Sequence, residues 1–501
     1  MNIKSNLARA TAQVVCKREE RLATQAVAKQ NAIFKALLIK GKETKFGKDH
    51  RFDSIKDYAG FCKNVPIRDY EALKSYFEEC KNGKPDILWP GKPKYLAKTS
   101  GTTSGSKYIP ISRSSVSNHI NSARNALFSY VYHQPKTRIF DGKMLFLSGS
   151  PILENLNGIP TGRLSGIVNH EIPSWFSKAK LPGNEINSIQ PWDLKVEKII
   201  EDLWNKDLRV VSGIPPWIQM FFEKIIEFSG KKHVCDVFPN LELYIHGGVN
   251  YDPYSKKINH LVGKDLALIE TYPASEGFIA YQDDPSLDAM RLVTNSGIFY
   301  EFVQLSEINQ VHPTRISLQD VKTDIDYAIV LNSNAGLWAY LLGDVVRFVS
   351  LNPWRLKVTG RVSQYISAFG EHVIAAEVEN AISHVIKQFN LKINEFTVAP
   401  QIQPQDQTLP YHEWYIEFDK IPNSLDDIEK ALDGELAKRN NYYADLINNK
   451  ILDQLKIRCI KNDGFKKYMM SVNQYGEQYK VKRLSNNRTI ADALNALQVI
   501  I

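Results

Sequence analysis

Apolar positions along this 501-residue chain recur first with a helical period and afterwards in short runs bounded by polar residues. Between residues 5 and 40 they fall at helical spacing through Val14, Leu22, Ala26, Ile33 and Leu37, with Lys and Arg between them. That spacing predicts an amphipathic helix packed on a main body, its basic face turned to solvent. Val65-Pro66-Ile67-Arg68-Asp69-Tyr70 leads into a helix from Glu71 to Cys80, with Pro66 breaking what precedes it. Val116, Ile120, Ala123 and Leu127 predict one apolar face on a helix from about Ser114 to Tyr132. Strand-like runs follow at Met144 to Leu147, Arg209 to Val211, Leu241 to Ile245, Leu266 to Glu270 and Ala328 to Leu331. Helical stretches such as Val196 to Trp204 and Trp217 to Phe228 separate them, so the expected class is α/β, a large layered N-terminal α/β body with buried sheets. The pattern shifts near residue 355. A helix at Ala375 to Phe389, strands at Glu395 to Ala399 and Glu413 to Phe418, a helix at Leu425 to Arg439 and a strand at Leu455 to Ile460 predict a smaller C-terminal α+β domain. The expected division is 1–358 for the body, 359–370 for a hinge region and 371–501 for the smaller domain.

Composition narrows the class. Hydrophobic residues make up 43% and charged residues 24%, which excludes disordered and fibrous chains. No apolar run approaches the roughly 20 residues of a membrane-spanning helix, and residues 1–30, with Glu19-Glu20, lack the pattern of a leader or transit peptide. The five cysteines (Cys16, Cys62, Cys80, Cys235 and Cys459) are scattered and odd in number, as expected of free thiols in a cytoplasmic protein. Neither they nor the eleven histidines form a zinc-binding spacing, so any metal is expected to be a hard ion on oxygen. The net charge of +8 is spread along the chain, which fits an anionic small molecule as partner, with no nucleic acid and no membrane. Nothing in the composition fixes an oligomeric state.

The densest chemistry lies in Thr99-Ser100-Gly101-Thr102-Thr103-Ser104-Gly105-Ser106-Lys107. Glycines let a backbone approach phosphates, hydroxyls donate to their oxygens and Lys107 adds a cation. The apolar flanks, Tyr95-Leu96-Ala97 and Tyr108-Ile109-Pro110-Ile111, predict a loop joining two strands. A Walker loop instead runs Gly-x-x-x-x-Gly-Lys-Ser/Thr into a helix, and that pattern fails here. On composition alone the stretch also reads as a Ser/Gly-rich surface loop. Three further stretches carry candidate chemistry. Glu270-Thr271-Tyr272-Pro273-Ala274-Ser275-Glu276-Gly277, preceded by His246-Gly247-Gly248, sets an aromatic ring, small residues and a carboxylate after a strand, which suits a purine and magnesium or, equally, a plain turn. Trp338 to Arg347 contains Asp344, a candidate acceptor for ribose hydroxyls or a turn aspartate. Thr359-Gly360-Arg361-Val362-Ser363 and Ile366 to Glu371 follow at the expected domain boundary.

In order and content these stretches resemble the adenylate-forming superfamily, and within it the auxin-responsive acyl-acid amido synthetases, the Gretchen Hagen family, its bacterial members above all. Phe46-Gly47-Lys48, Val65 to Tyr70, Asn440 to Tyr443 and Gln478-Tyr479-Lys480 extend the resemblance over nearly the whole chain. It implies a ligase that uses ATP and Mg2+ to adenylate a small carboxylic acid and then passes the acyl group to an amine, commonly an amino acid. Ser100, Gly101, Thr102 and Thr103 would hold phosphates. Tyr272 and Ala274 would border adenine, with Gly248, Ser275 and Arg361 completing the nucleotide set. Glu276 would hold magnesium as a catalytic residue, Asp344 the ribose, and Lys480 would be the C-terminal lysine of adenylation, although Val481-Lys482-Arg483 departs from the Thr-Pro-Arg usual in plant members. Arg124 and Arg163 are candidate cations for the acyl substrate or else surface residues. Phe128, Tyr132, Trp175 and Phe176 are candidate pocket linings or else core. Two alternatives remain open, an acid-thiol ligase using coenzyme A and a catalytically silent nucleotide-binding relative.

Overall fold

The computed structural model describes residues 3–102, 105–173, 176, 178–189, 192–308, 310–362, 365–405, 408–472 and 481–501. The chain divides into two compact units, one of residues 1–99, 107–248 and 255–362, the other of residues 100–106, 249–254 and 363–501.

The first 40 residues form two helices where one is expected, α1 (Ile3–Thr24) and α2 (Ala26–Gly41), because the backbone leaves helical geometry at Gln25. Val14 also departs from expectation, with 71% of its surface exposed. Gln30 shows what orients α2: its amide donates to the carbonyls of Thr294 and Ile298 and accepts from Tyr300 N, so a buried polar side chain fixes the helix to the sheet beneath. Short helices α3 (Lys45–Asp49), α4 (Tyr58–Asn64) and α5 (Lys74–Lys81) follow. The glycine loop joins β1 (Tyr95–Thr102) to β2 (Gly105–Ile111), two strands as the apolar flanks predict. Helix α6 (Val116–His133) then begins one turn later. Of the predicted face, Val116 and Leu127 are buried, Ile120 is half-buried and Ala123 is exposed, while the polar Asn118, His119, Ser122 and Asn125 are buried as well. Asn118 accepts from Phe278 N at 2.6 Å and donates to Phe278 O and Ser296 Oγ.

The strands that follow are β3 (Lys143–Phe146), β4 (Glu154–Leu156), β5 (Ile159–Gly162), β6 (Lys180–Leu181), β7 (Leu208–Ser212), β8 (Leu243–Gly247), β9 (Ala267–Ala274) and β10 (Gly277–Tyr281). Next come β11 (Met290–Leu292), β12 (Ile298–Gln304), β13 (Ile316–Ser317), β14 (Asp326–Ser333), β15 (Tyr340–Leu351) and β16 (Trp354–Arg361). Twelve of them form one sheet, in the order β13-β12-β14-β15-β16-β11-β10-β9-β8-β7-β3-β6. The half from β9 to β6 is parallel, with helices in its connections; the half from β10 to β13 is antiparallel. A second sheet runs β2-β1-β5-β4.

The smaller unit carries the expected α+β pattern. Helix Ala375–Gln388 precedes strands Ile393–Gln401 and Tyr411–Phe418, and helix Leu425–Arg439 crosses to strand Lys456–Cys459, which pairs in parallel with Tyr411–Phe418. Asn440 caps the next helix by accepting from Tyr443 N, and its amide also donates to Glu377. No helix among the described residues is long and apolar enough to cross a membrane.

Candidate active site

Strands β9 and β10 are joined by a two-residue turn, Ser275-Glu276, because Ala274 pairs with Gly277. The turn stands at the C-terminal end of β9, on the edge where the parallel strands β8, β7 and β3 also end, the usual ligand edge of an α/β sheet. Gly248, just past β8, holds φ at +77°, a conformation open to glycine. Gly247 lies so close to β9 that a Cβ there would collide with the Thr271 carbonyl oxygen.

From this edge two side chains meet β15. Tyr272 donates its hydroxyl to Asp344 Oδ2 at 2.5 Å, and the half-buried Glu276 accepts through Oε1 from the Tyr340 hydroxyl at 3.2 Å. Tyr340 and Asp344 are four residues apart on one strand, so they share a face. Arg361, paired with Asp344 in the β15–β16 register, donates Nε to Asp344 Oδ1 at 2.5 Å. Each Asp344 oxygen thus already accepts one hydrogen bond, and its capacity for ribose hydroxyls lies in the second lone pairs. The Val65–Tyr70 stretch finds its place here as well. Arg68 forms a parallel bridge with Tyr340, its amide donating to Ala339 O and its carbonyl accepting from Leu341 N, which fixes the start of β15. Tyr70 accepts from Tyr108 N, and the Lys107 ammonium stands 5.7 Å over the Tyr70 ring.

Burial pushes the Glu276 carboxyl above its ordinary pKa; Lys107 and Arg361 oppose that shift and Asp344 adds to it. Burial lowers the Lys107 ammonium, against the attraction of Glu276. Tyr272 and Tyr340 are raised well above the phenol value, first by burial and then by their carboxylate partners, so both stay neutral donors. Burial also lowers His246 to about 4, leaving a neutral ring at the end of β8.

The structure therefore brings together Tyr272, Ala274, Ser275, Glu276, Asp344 and Arg361. Ser100, Gly101 and Thr102 close β1. Thr103, Trp175 and Lys480 lie outside the described residues. Arg124 is exposed and donates to its neighbour Asn125; Phe128 packs in the core 5.8 Å from Phe140, with Tyr132 and Phe176 at the margin of the same cluster. Arg163 follows β5 of the second sheet and lies over Gly149. Tyr340 and Tyr70 had no role in the sequence reading. Only their place in the motifs Trp338 to Arg347 and Val65 to Tyr70 marked them.

Comparison with known proteins bears on this arrangement. The chain matches the GH3 family N-terminal domain over residues 15–190, the GH3 family central domain over 291–361 and the GH3 family C-terminal domain over 376–489. It belongs to the GH3 family. The jasmonoyl–L-amino acid synthetase JAR4 of Nicotiana attenuata is 24% identical over 359 residues, 58% of this chain and 61% of that protein. The match thus spans about three fifths of that GH3 relative's length. The indole-3-acetic acid-amido synthetase GH3.15 of Arabidopsis thaliana is 21% identical over an alignment covering 95% of this chain and 93% of that protein. A solved GH3.15 acyl acid amido synthetase shares the fold with a TM-score of 0.61 and 17% identity, covering 96% of this chain and 95% of that one. A 2-hydroxyisobutyryl-CoA ligase shares it at the same TM-score of 0.61 and 12% identity, covering 95% and 92%.

Proposed function

We propose that this GH3 protein is an adenylate-forming ligase of the bacterial branch, acting in the cytoplasm. With ATP and Mg2+ it converts a small carboxylic acid to its acyl-adenylate, releasing pyrophosphate. The nitrogen of an amine, an amino acid in this reading, then attacks the acyl carbon; AMP leaves and an amide forms. The observation that carries the reading is the Tyr272–Asp344–Arg361 linkage beside Glu276, on the ligand edge of a GH3 chain. The five free thiols support a reducing compartment.

Chemistry assigns the roles. A carboxylate attacking a phosphate meets anion–anion repulsion, which cations and positioning must offset. Glu276 fits Mg2+ as a hard oxygen donor. An ion there would be held by one carboxylate together with substrate phosphates. Bound there, Mg2+ would polarise phosphate oxygens. Asp344, held by Tyr272 and Arg361, accepts from the ribose. Tyr272, Ala274, Ser275 and Gly248 border the base. Ser100, Gly101, Thr102 and Thr103 receive phosphates, and Lys480 supplies a further cation during adenylation. Arg124, Phe128 and Arg163 are assigned to the acyl side.

The test is pyrophosphate release from a panel of acids crossed with amino acids, with product masses measured. Acid-dependent release and an amide mass are expected. Because the fold is shared with a coenzyme A ligase, coenzyme A is included as acceptor; a thioester in place of the amide would replace the amine in this scheme. ATP binding without acid-dependent release across the panel would mark a silent relative.

A further inference from the structure

The same edge of the parallel sheet carries a second charged group that the nucleotide and metal roles leave unused. Beyond β3 the chain runs through Ser148-Gly149-Ser150. Lys195, on the helix Trp192–Leu203, is 2% exposed, donates to the Ser148 carbonyl at 3.0 Å and stands 5.6 Å over the Trp192 ring. Lys180, in β6 beside β3, is 9% exposed and donates to Asn169 Oδ1. Arg163 crosses Gly149, where a Cβ would stand 3.2 Å from the Arg163 side chain, and its charge acts on Lys195. Among the described residues no carboxylate pairs with Lys195 or Lys180; their hydrogen-bond partners are neutral carbonyl groups. The indole N–H groups of Trp192 and of Trp217, whose rings lie 4.5 Å apart, are buried with no acceptor among the described residues.

Buried ammonium groups with only neutral partners are unfavourable in the free protein, and so are buried N–H donors with no acceptor. Burial together with the neighbouring cations Lys180 and Arg163 lowers the Lys195 ammonium to about 8. A carboxylate supplies what the cluster lacks, negative charge and up to four lone-pair sites. From β3 to β9 there are three strand spacings, roughly 14 Å, so a single small molecule can reach from this cluster towards the Glu276 edge.

We infer that the Lys195–Lys180 cluster is a subsite for an additional carboxylate, the ω-carboxylate of the acid or the side-chain carboxylate of the amino acid, distinct from the activated carboxylate and from the amino acid's α-carboxylate. The inference rests on the ligase reading, which supplies those substrates. The test is calorimetric binding to the full chain, with and without the non-hydrolysable analogue AMPCPP. One arm compares α,ω-dicarboxylic acids of four to ten carbons with the matching monocarboxylic acids. The other compares L-aspartate and L-glutamate with L-asparagine and L-glutamine. In one arm the ligand with the extra carboxylate should bind at least tenfold tighter, and Lys195→Met should abolish that preference while AMPCPP binding is unchanged. Lys195→Arg, which keeps the charge, should retain part of it. Should Lys195→Met not fold, Lys180→Met and Trp192→Phe serve, each weakening the preference. No preference in either arm, or a preference that survives the variants, overturns the inference. Failure of the ligase reading registers separately, as wild-type protein that neither binds AMPCPP nor releases pyrophosphate.

Discussion

Replacing Tyr272 by Phe removes one hydroxyl and leaves the ring in place, so the change isolates a single hydrogen bond. Tyr272 and Asp344 are each 8% exposed, and the O–H···O contact between them is 2.5 Å. A hydrogen bond to a charged acceptor contributes about 1.5–3 kcal/mol. Asp344 keeps its bond to Arg361, whose side chain is 26% exposed and can be partly rehydrated, so the expected loss falls to about 1–2 kcal/mol. Asp344→Asn removes the charge that both partners address and should cost more than Tyr272→Phe. The double variant should fall short of the sum by about 1 kcal/mol, because only one interaction is present to lose. Intrinsic fluorescence in urea is the assay. Of the eight tryptophans only Trp414 belongs to the smaller unit, so the signal reports the unit that holds Tyr272 and Asp344. Nucleotide affinity, measured by calorimetry on the same variants, should fall about tenfold for Tyr272→Phe, near 1.4 kcal/mol, because the ribose acceptor loses its orienting partner. A Tyr272→Phe protein with wild-type stability, no coupling to Asp344→Asn and unchanged nucleotide affinity would refute the reasoning.

Three further outcomes are expected. Glu276→Ala should abolish Mg2+-dependent pyrophosphate release without moving the melting temperature downward, and normal turnover in that variant would remove the metal assignment. Glu377, buried at 4% exposure, has its pKa pushed up to about 7 by burial, against bonds from Asn440 and Ile374. Between an unfolded value near 4.5 and about 7 the folded chain holds a proton that the unfolded chain has released, so this group's contribution to stability is lost as pH rises through that window, by up to about 3 kcal/mol. Glu377→Gln should flatten that slope, and parallel melting-temperature profiles of variant and wild type from pH 4.5 to 7.5 would contradict it. Gly247→Ala should destabilise by about 3 kcal/mol or give insoluble protein, since the added methyl meets the rigid Thr271 carbonyl of the neighbouring strand. A soluble variant with the wild-type melting temperature would show that β8 and β9 can separate.

The sequence carried the site's carboxylates together with Tyr272 and Arg361, which hold Asp344, and missed Tyr340, which holds Glu276, for a physical reason. Glu276 stands in the turn between β9 and β10, and Asp344 follows Gly343, whose φ of +92° interrupts β15, so both sit beside a break that is visible locally. Tyr340 gains its role only when Arg68, some 270 positions away, docks as a bridge beside it, and no local period reports that pairing. Apart from β14, predicted at Ala328 to Leu331, the antiparallel half of the sheet was illegible in the same way. β12 is buried on both faces, so it shows no alternation, and its Glu301, 0% exposed, is satisfied by Arg315, Asn332 and Tyr58 from other elements. On α6 the apolar period marks the buried Val116 and Leu127 but not the polar Asn118, His119, Ser122 and Asn125 that are buried beside them.

Such inversions of the hydrophobic rule divide into two kinds. Asn118, Gln30 and Glu301 are buried with their hydrogen bonds made, and each fixes how two elements meet; that is architecture. Lys195 is different. Its neighbour Leu194 is 43% exposed while Lys195 itself is 2% exposed, the reverse of what an amphipathic helix surface prefers, and among the described residues no carboxylate compensates the buried charge. Packing alone would be served better by exchanging the two. A chain that instead keeps the cation inside, at the ligand edge of its sheet, bears a standing cost that binding an anion would remove, and breaches of local rules of this kind mark function more often than structure.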